Sequence, residues 1–109
     1  MLRSEYNELI NRGDEVAMHA IGRALVHLFR RQTEDEQQSN DTRHDNRRGF
    51  TAGDARKGSI TAKYYIKHRR LLDWQIELWL KRDSRGRQRI GKYYRQIAEE
   101  AAKKSAQRG

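Results

Sequence analysis

A chain of 109 residues has room for one domain, and its 24 Lys plus Arg against 15 Asp plus Glu leave a net charge of +9, which directs attention to acidic partners. The absence of cysteine excludes disulfides, thiolate metal sites and cysteine nucleophiles, and the absence of proline removes the strongest helix breaker. No apolar run is long enough to cross a bilayer and MLRSEYNELI has no apolar leader core, so a soluble, cytoplasmic, all-α protein with no membrane association is expected.

The charge is unevenly divided. Residues 1–42 carry five basic and eight acidic side chains, whereas residues 43–109 carry nineteen basic and seven acidic. Ser4, Glu5 and Glu8 mark a capped helical turn before the break at Asn11–Gly13, and Asp14 is placed to cap the next helix. From Val16 the apolar positions Ala17, Ala20, Ile21, Ala24, Leu25, Leu28 and Phe29 follow the three-and-four spacing of one helix face. That stripe, Ala17 to Phe29, is also a candidate homodimer face. Residues 1–38 are therefore read as an amphipathic helical segment, and residues 39–49, rich in turn formers, as a polar linker.

Residues 50–102 form the basic helical domain. Thr51 or Asp54 starts a helix containing Ile60, Tyr64, Ile66 or Tyr65, with Gly58 weakening its first turn. Asp73 sits at the N-cap of a short helix bearing Trp74 and Trp79, and its apolar surface nearly all round marks it as central. DSRGRQR, from Asp83 to Arg89, is a turn, after which Ile90, Tyr93, Tyr94, Ile97, Ala98 and Ala101 repeat at helical spacing to about Ala102. Residues 103–109 are expected to fray. The architecture is thus a small helical bundle: an N-terminal helix joined by a linker to a three-helix, helix-turn-helix-like unit.

Two runs interleave cations with aromatic rings. Lys63, Tyr65, Lys67, Arg69 and Arg70 form one set, and Arg85, Arg87, Arg89, Lys92, Tyr94 and Arg95 the other. Cationic heads neutralise phosphates and release counterions, while ring faces stack on bases. Helical period places Tyr64 and one of Tyr93 and Tyr94 in the core, which leaves Tyr65 and Tyr94 for the interface. Arg85-Gly86-Arg87 between two helices suits a narrow minor groove, so DNA is favoured over RNA.

Catalysis has little support. His19 and His27 lie eight residues apart, roughly 12 Å along a helix, too far to share a metal. Asp41, His44 and Asp45 occupy the polar stretch without a second cluster to complete a metal shell, and no phosphate loop or nucleophile motif occurs. No enzyme activity, metal or cofactor is expected.

The segments RRQTEDEQ, RHDNRRGFTAGDARKGSITAKYYIKH, LLDWQIELWLK and RIGKYYRQIAEEA resemble a class of small uncharacterised proteins of bacteriophages and related mobile elements, with similar stretches attached to helicase-like proteins. Gly49, Phe50, Asp54, Ala55, Gly58, Gln75, Arg89, Ile90, Lys92, Tyr93 and Gln96 carry the resemblance. It implies an accessory role in nucleic-acid metabolism or inhibition of a host protein, in the host cytoplasm, and carries over no catalytic residue. It also implies that Phe50 plugs the core while Asp54 caps a helix or holds an arginine.

Overall fold

A computed structural model describes residues 2–38 and 49–108. The protein is all-α. Helices α1 (Arg3–Ile10), α2 (Glu15–Gln38), α3 (Ala55–His68) and α4 (Asp73–Leu80) are followed by a short 3-10 helix, Ile90–Tyr93, that runs directly into α5 (Tyr94–Arg108). Gly13 makes the α1–α2 turn at positive φ, and Asp14 Oδ1 accepts the Ala17 N–H at 3.0 Å, the N-cap expected from its position.

Helix α2 is the axis of the fold. Its buried residues extend beyond the expected stripe to Met18, Gly22 and Val26, because α1, α3, α4 and α5 all pack around it. The stripe from Ala17 to Phe29 therefore does not offer a homodimer face: Ala17, Ala20, Ile21, Ala24, Leu25 and Leu28 are buried by the chain's own helices. One cluster joins Tyr6 and Ile10 of α1, the α2 stripe, Phe50, Ala62 and Tyr65, Leu71, Trp79, and Ile90, Tyr93 and Ile97. Residues 1–38 and 50–102 thus share a single core.

Two glycines set how closely the elements approach. A Cβ on Gly22 would lie 2.3 Å from the Tyr65 ring, so α3 crosses α2 where α2 lacks a side chain. A Cβ on Gly58 would lie 2.3 Å from Phe50, whose ring fills that space and meets Trp79 and Tyr93 at centroid distances of 5.7 and 5.8 Å. The glycine that weakens the first turn of α3 makes room for the aromatic centre of the core.

Asp73 is the first residue of α4 rather than its cap; Leu72 holds the cap position, and the buried Gln75 side chain accepts the Leu72 N–H at 2.8 Å. The connection from α4 to the 3-10 helix is a hairpin closed by an Arg82–Gln88 bridge, longer than the three- or four-residue turn of a helix-turn-helix. The C-terminal backbone is helical through Arg108, past the expected end near Ala102. Among the described residues, no helix is long and apolar enough to cross a membrane. The linker at 39–48 and the Asp41, His44 and Asp45 constellation lie outside the described residues.

Beyond the apolar core, Arg31 is buried at 5% exposure in a helix tail that reads as wholly polar. Its guanidinium reaches Glu100 at 2.8 Å and Glu99 at 3.0 Å. Burial opposes its charge, but the hydrogen bonds and fields of the two glutamates outweigh that cost and raise its pKa. Gln96 bonds both the N–H and the carbonyl of Gly49, fixing the start of the second described segment on α5.

Candidate nucleic-acid interface

The sequence of α3, ARKGSITAKYYIKH, contains no acidic residue. Gly58, Thr61, Ala62 and Tyr65 face inward, which turns Arg56, Ile60, Lys63 and Lys67 outward at positions i, i+4, i+7 and i+11. At 3.6 residues per turn these form one row, about 16 Å long at 1.5 Å per residue. All four are exposed, and no carboxylate among the described residues pairs with the three cations. Lys63 is exposed, and its Nζ sits 5.6 Å from the centre of the Phe29 ring, within cation–π reach. Tyr64 is half-buried and its ring lies 4.3 Å from that of His68.

Lys67, His68 and the left-handed Arg69 (φ 55°) form a basic helix end, favourable to the α3 dipole. Arg69 is exposed and has no ion pair among the described residues, whereas Arg70 meets Glu15 at 3.3 Å. That contact sets the α3–α4 corner against the start of α2.

The hairpin after α4 is organised by Asp83, whose Oδ1 accepts the N–H groups of both Arg85 and Arg87 at 2.9 Å. Those bonds, joined by the nearby arginine charges and outweighing the opposing effect of desolvation, hold the Asp83 carboxyl below its usual range. Gly86 takes φ 80°, and Arg82 Nη1 donates to its carbonyl at 2.7 Å. Arg85 and Arg87 therefore project from a stiff turn. Asn11 and Gln88 exchange two amide hydrogen bonds, 3.0 and 2.8 Å, which tie the hairpin to the end of α1. The α1–α2 turn thus meets the hairpin on one side and the Arg70 corner on the other.

Four of the sequence-predicted interface residues are used elsewhere. Tyr65, not Tyr64, is the inward tyrosine: it keeps 6% exposure, packs against Gly22 and joins its hydroxyl to His19 Nδ1 at 2.8 Å. Tyr94 is half-buried, packed on Tyr6 with Arg3 over its ring. Arg89 and Lys92 reach Asp54 at 2.8 Å each, and Tyr93 Oη donates to it at 2.6 Å. Burial pushes the Asp54 carboxyl up, but the bonds from Lys92, Tyr93 and Arg89 together outweigh it and leave its pKa lowered. Burial and the bond to Asp54 push the Tyr93 phenol up to about 12.

Lys63, Lys67, Arg69, Arg70, Arg85, Arg87 and Arg95 remain exposed, Arg70 in its ion pair with Glu15. Arg56 and Ile60 complete the α3 row and were not among the predicted residues. Their signal is the combination of helical spacing from Lys63 and the lack of any acidic residue through that segment. Phe50 and Asp54 occupy the roles the resemblance implies, in the core and holding Arg89. Among the described residues no group of three or more His, Cys, Asp or Glu side chains is placed to hold a metal ion. No protein-family model matches the chain, and searches of curated proteins and of solved structures return no similar protein.

Proposed function

We propose that the protein is a small nucleic-acid-binding accessory protein that grips the phosphate backbone with the outer face of α3. The observation that carries this reading is the row Arg56, Lys63 and Lys67, continued by Arg69, in which four cations meet no carboxylate among the described residues. Unpaired, solvated cations lose little on contact with phosphate and gain the entropy of the counterions they displace. Arg85 and Arg87 on the hairpin add cations of the same sign, and a DNA partner remains the first choice for the Arg-Gly-Arg turn.

Fluorescence anisotropy with duplex DNA, single-stranded DNA and RNA, titrated from 50 to 200 mM salt, tests the reading. Four phosphate contacts correspond to a loss of about two decades of affinity over that range on duplex DNA and somewhat less on a single strand. Affinity that stays flat with salt contradicts the proposal.

A second reading, docking on a host protein, is favoured by Trp74, which keeps 59% exposure at the start of α4 beside the exposed Leu72. Exposed tryptophan is costly to leave in water and is a frequent anchor at protein interfaces. A stoichiometric protein partner that survives nuclease treatment and is lost with Trp74→Ala supports this second reading.

A further inference from the structure

A recess of about 170 Å³ lies between α1 and the hairpin, lined by Arg3, Asn7 and Asn11 on one wall and by Arg82, Gly86, Arg87, Gln88 and Gly91 on the other. Arg3, Asn7 and Asn11 are spaced four apart and so share one face of α1, and the reciprocal Asn11–Gln88 amide pair holds that face against the hairpin. Three guanidinium-bearing residues line the space, and no carboxylate does. Arg87 has a loose ion pair with Asp83 at 3.6 Å, whereas Arg82 donates one N–H to the Gly86 carbonyl, Arg3 lies over the Tyr94 ring, and among the described residues neither of these two meets a carboxylate, so all three keep donors and charge for an anion.

We propose that this recess binds a phosphate monoester, and that within the nucleic-acid reading, on which this assignment rests, the monoester is the terminal phosphate of a strand. Guanidinium groups match phosphate oxygens in geometry and charge, and three around one cavity suit a dianion better than the singly charged diester of an internal linkage. The volume is below the ~300–1,000 Å³ of sites that enclose larger ligands, so it takes a phosphate and not a whole nucleotide. An internal phosphate carries sugar on both sides and needs an open groove. A terminal one is attached on one side and enters a recess.

Binding of oligonucleotides with a 5′-phosphate is compared with the same strands ending in a 5′-hydroxyl, and thermal unfolding is followed with inorganic phosphate against potassium chloride at equal ionic strength. The wild type is expected to prefer the phosphorylated strand by about tenfold, the equivalent of one good charge-assisted contact of ~1.4 kcal/mol. That preference falls to about one in Arg3→Gln and Arg87→Gln. Lys63→Gln with Lys67→Gln weakens both strands alike and leaves the ratio intact, which separates the recess from the α3 face. Inorganic phosphate at ten times its dissociation constant raises the unfolding temperature by about 6 °C beyond any general salting effect, and Arg3→Gln abolishes the excess. This arm reads the recess even if no nucleic acid binds. Phosphate stabilisation without a strand-end preference supports the phosphate site and assigns it to the free ion or a small ester. Equal affinity for both strands together with no excess stabilisation overturns the proposal.

Discussion

Replacing Asp54 by Asn keeps the side chain's size and removes the charge that Arg89, Lys92 and Tyr93 converge on. The carboxylate is nearly solvent-free, at 4% side-chain exposure, while Arg89 and Lys92 keep 23% and 34%. A buried hydrogen bond to a charged acceptor contributes roughly 1.5–3 kcal/mol, and about 2 is assigned to the Tyr93 bond. Water still reaches the two cations, so each of their pairs is discounted to about 0.5 kcal/mol. The total loss is about 3 kcal/mol. At ~2.1 cal/mol/K per residue, a chain of this length loses about 4 °C per kcal/mol, so the midpoint of thermal unfolding should fall by about 13 °C. Far-UV circular dichroism at neutral pH measures it. Because the folded Asp54 pKa is lowered, the contribution is complete above the ordinary aspartate value near 3.9 and disappears as pH falls through the folded value, so wild type and variant should converge in strong acid. A neutral-pH shift under about 3 °C would refute the role assigned to the cluster.

Gly22→Ala places a methyl group against the Tyr65 ring and should cost about 1–3 kcal/mol in urea unfolding despite the gain in helix propensity, whereas Gly53→Ala, which meets nothing within 4 Å, should stay near neutral. Trp79→Ala should cost about 3–5 kcal/mol and Trp74→Ala under about 1, since Trp79 is fully enclosed and Trp74 is exposed; equal effects contradict the packing described. The Tyr93 phenol titrates near 12 in the folded chain against 10 when unfolded, so its neutral form adds stability that is present below pH 10 and lost as pH rises towards 12. Burial raises the Tyr6 phenol as well, so phenolate absorbance should show one fewer late-titrating tyrosine in Tyr93→Phe than in wild type.

The helices were legible because their signals are local: the apolar period of α2, the Asp14 cap and the repeat from Ile90. Partner choice across the chain was not. Tyr64 and Tyr65 are adjacent, and helical period alone cannot fix which one points inward; the choice is made by Gly22, forty-three residues away, which opens the space that Tyr65 fills. Arg89 and Lys92 read as free cations because their carboxylate lies more than thirty residues upstream at Asp54. Arg31 was hidden in a polar tail, since only the packing of α5 brings Glu99 and Glu100 to it. Trp74 and Trp79 share a short helix that is apolar nearly all round, so its period carried no direction. The α3 row rests on spacing within one helix and on the lack of nearby acids, both properties of a single segment, yet only Lys63 and Lys67 of it were singled out from the sequence.

The salt dependence of DNA affinity in Lys63→Gln/Lys67→Gln, set beside wild type, tests the phosphate-gripping role of α3 most directly. Each lost phosphate contact on duplex DNA lowers the slope of log affinity against log salt by about 0.9, so the double variant should show a slope shallower by about 1.8 with its fold and unfolding temperature unchanged. An unaltered slope in a folded double variant would contradict the assignment of α3 as the contact surface.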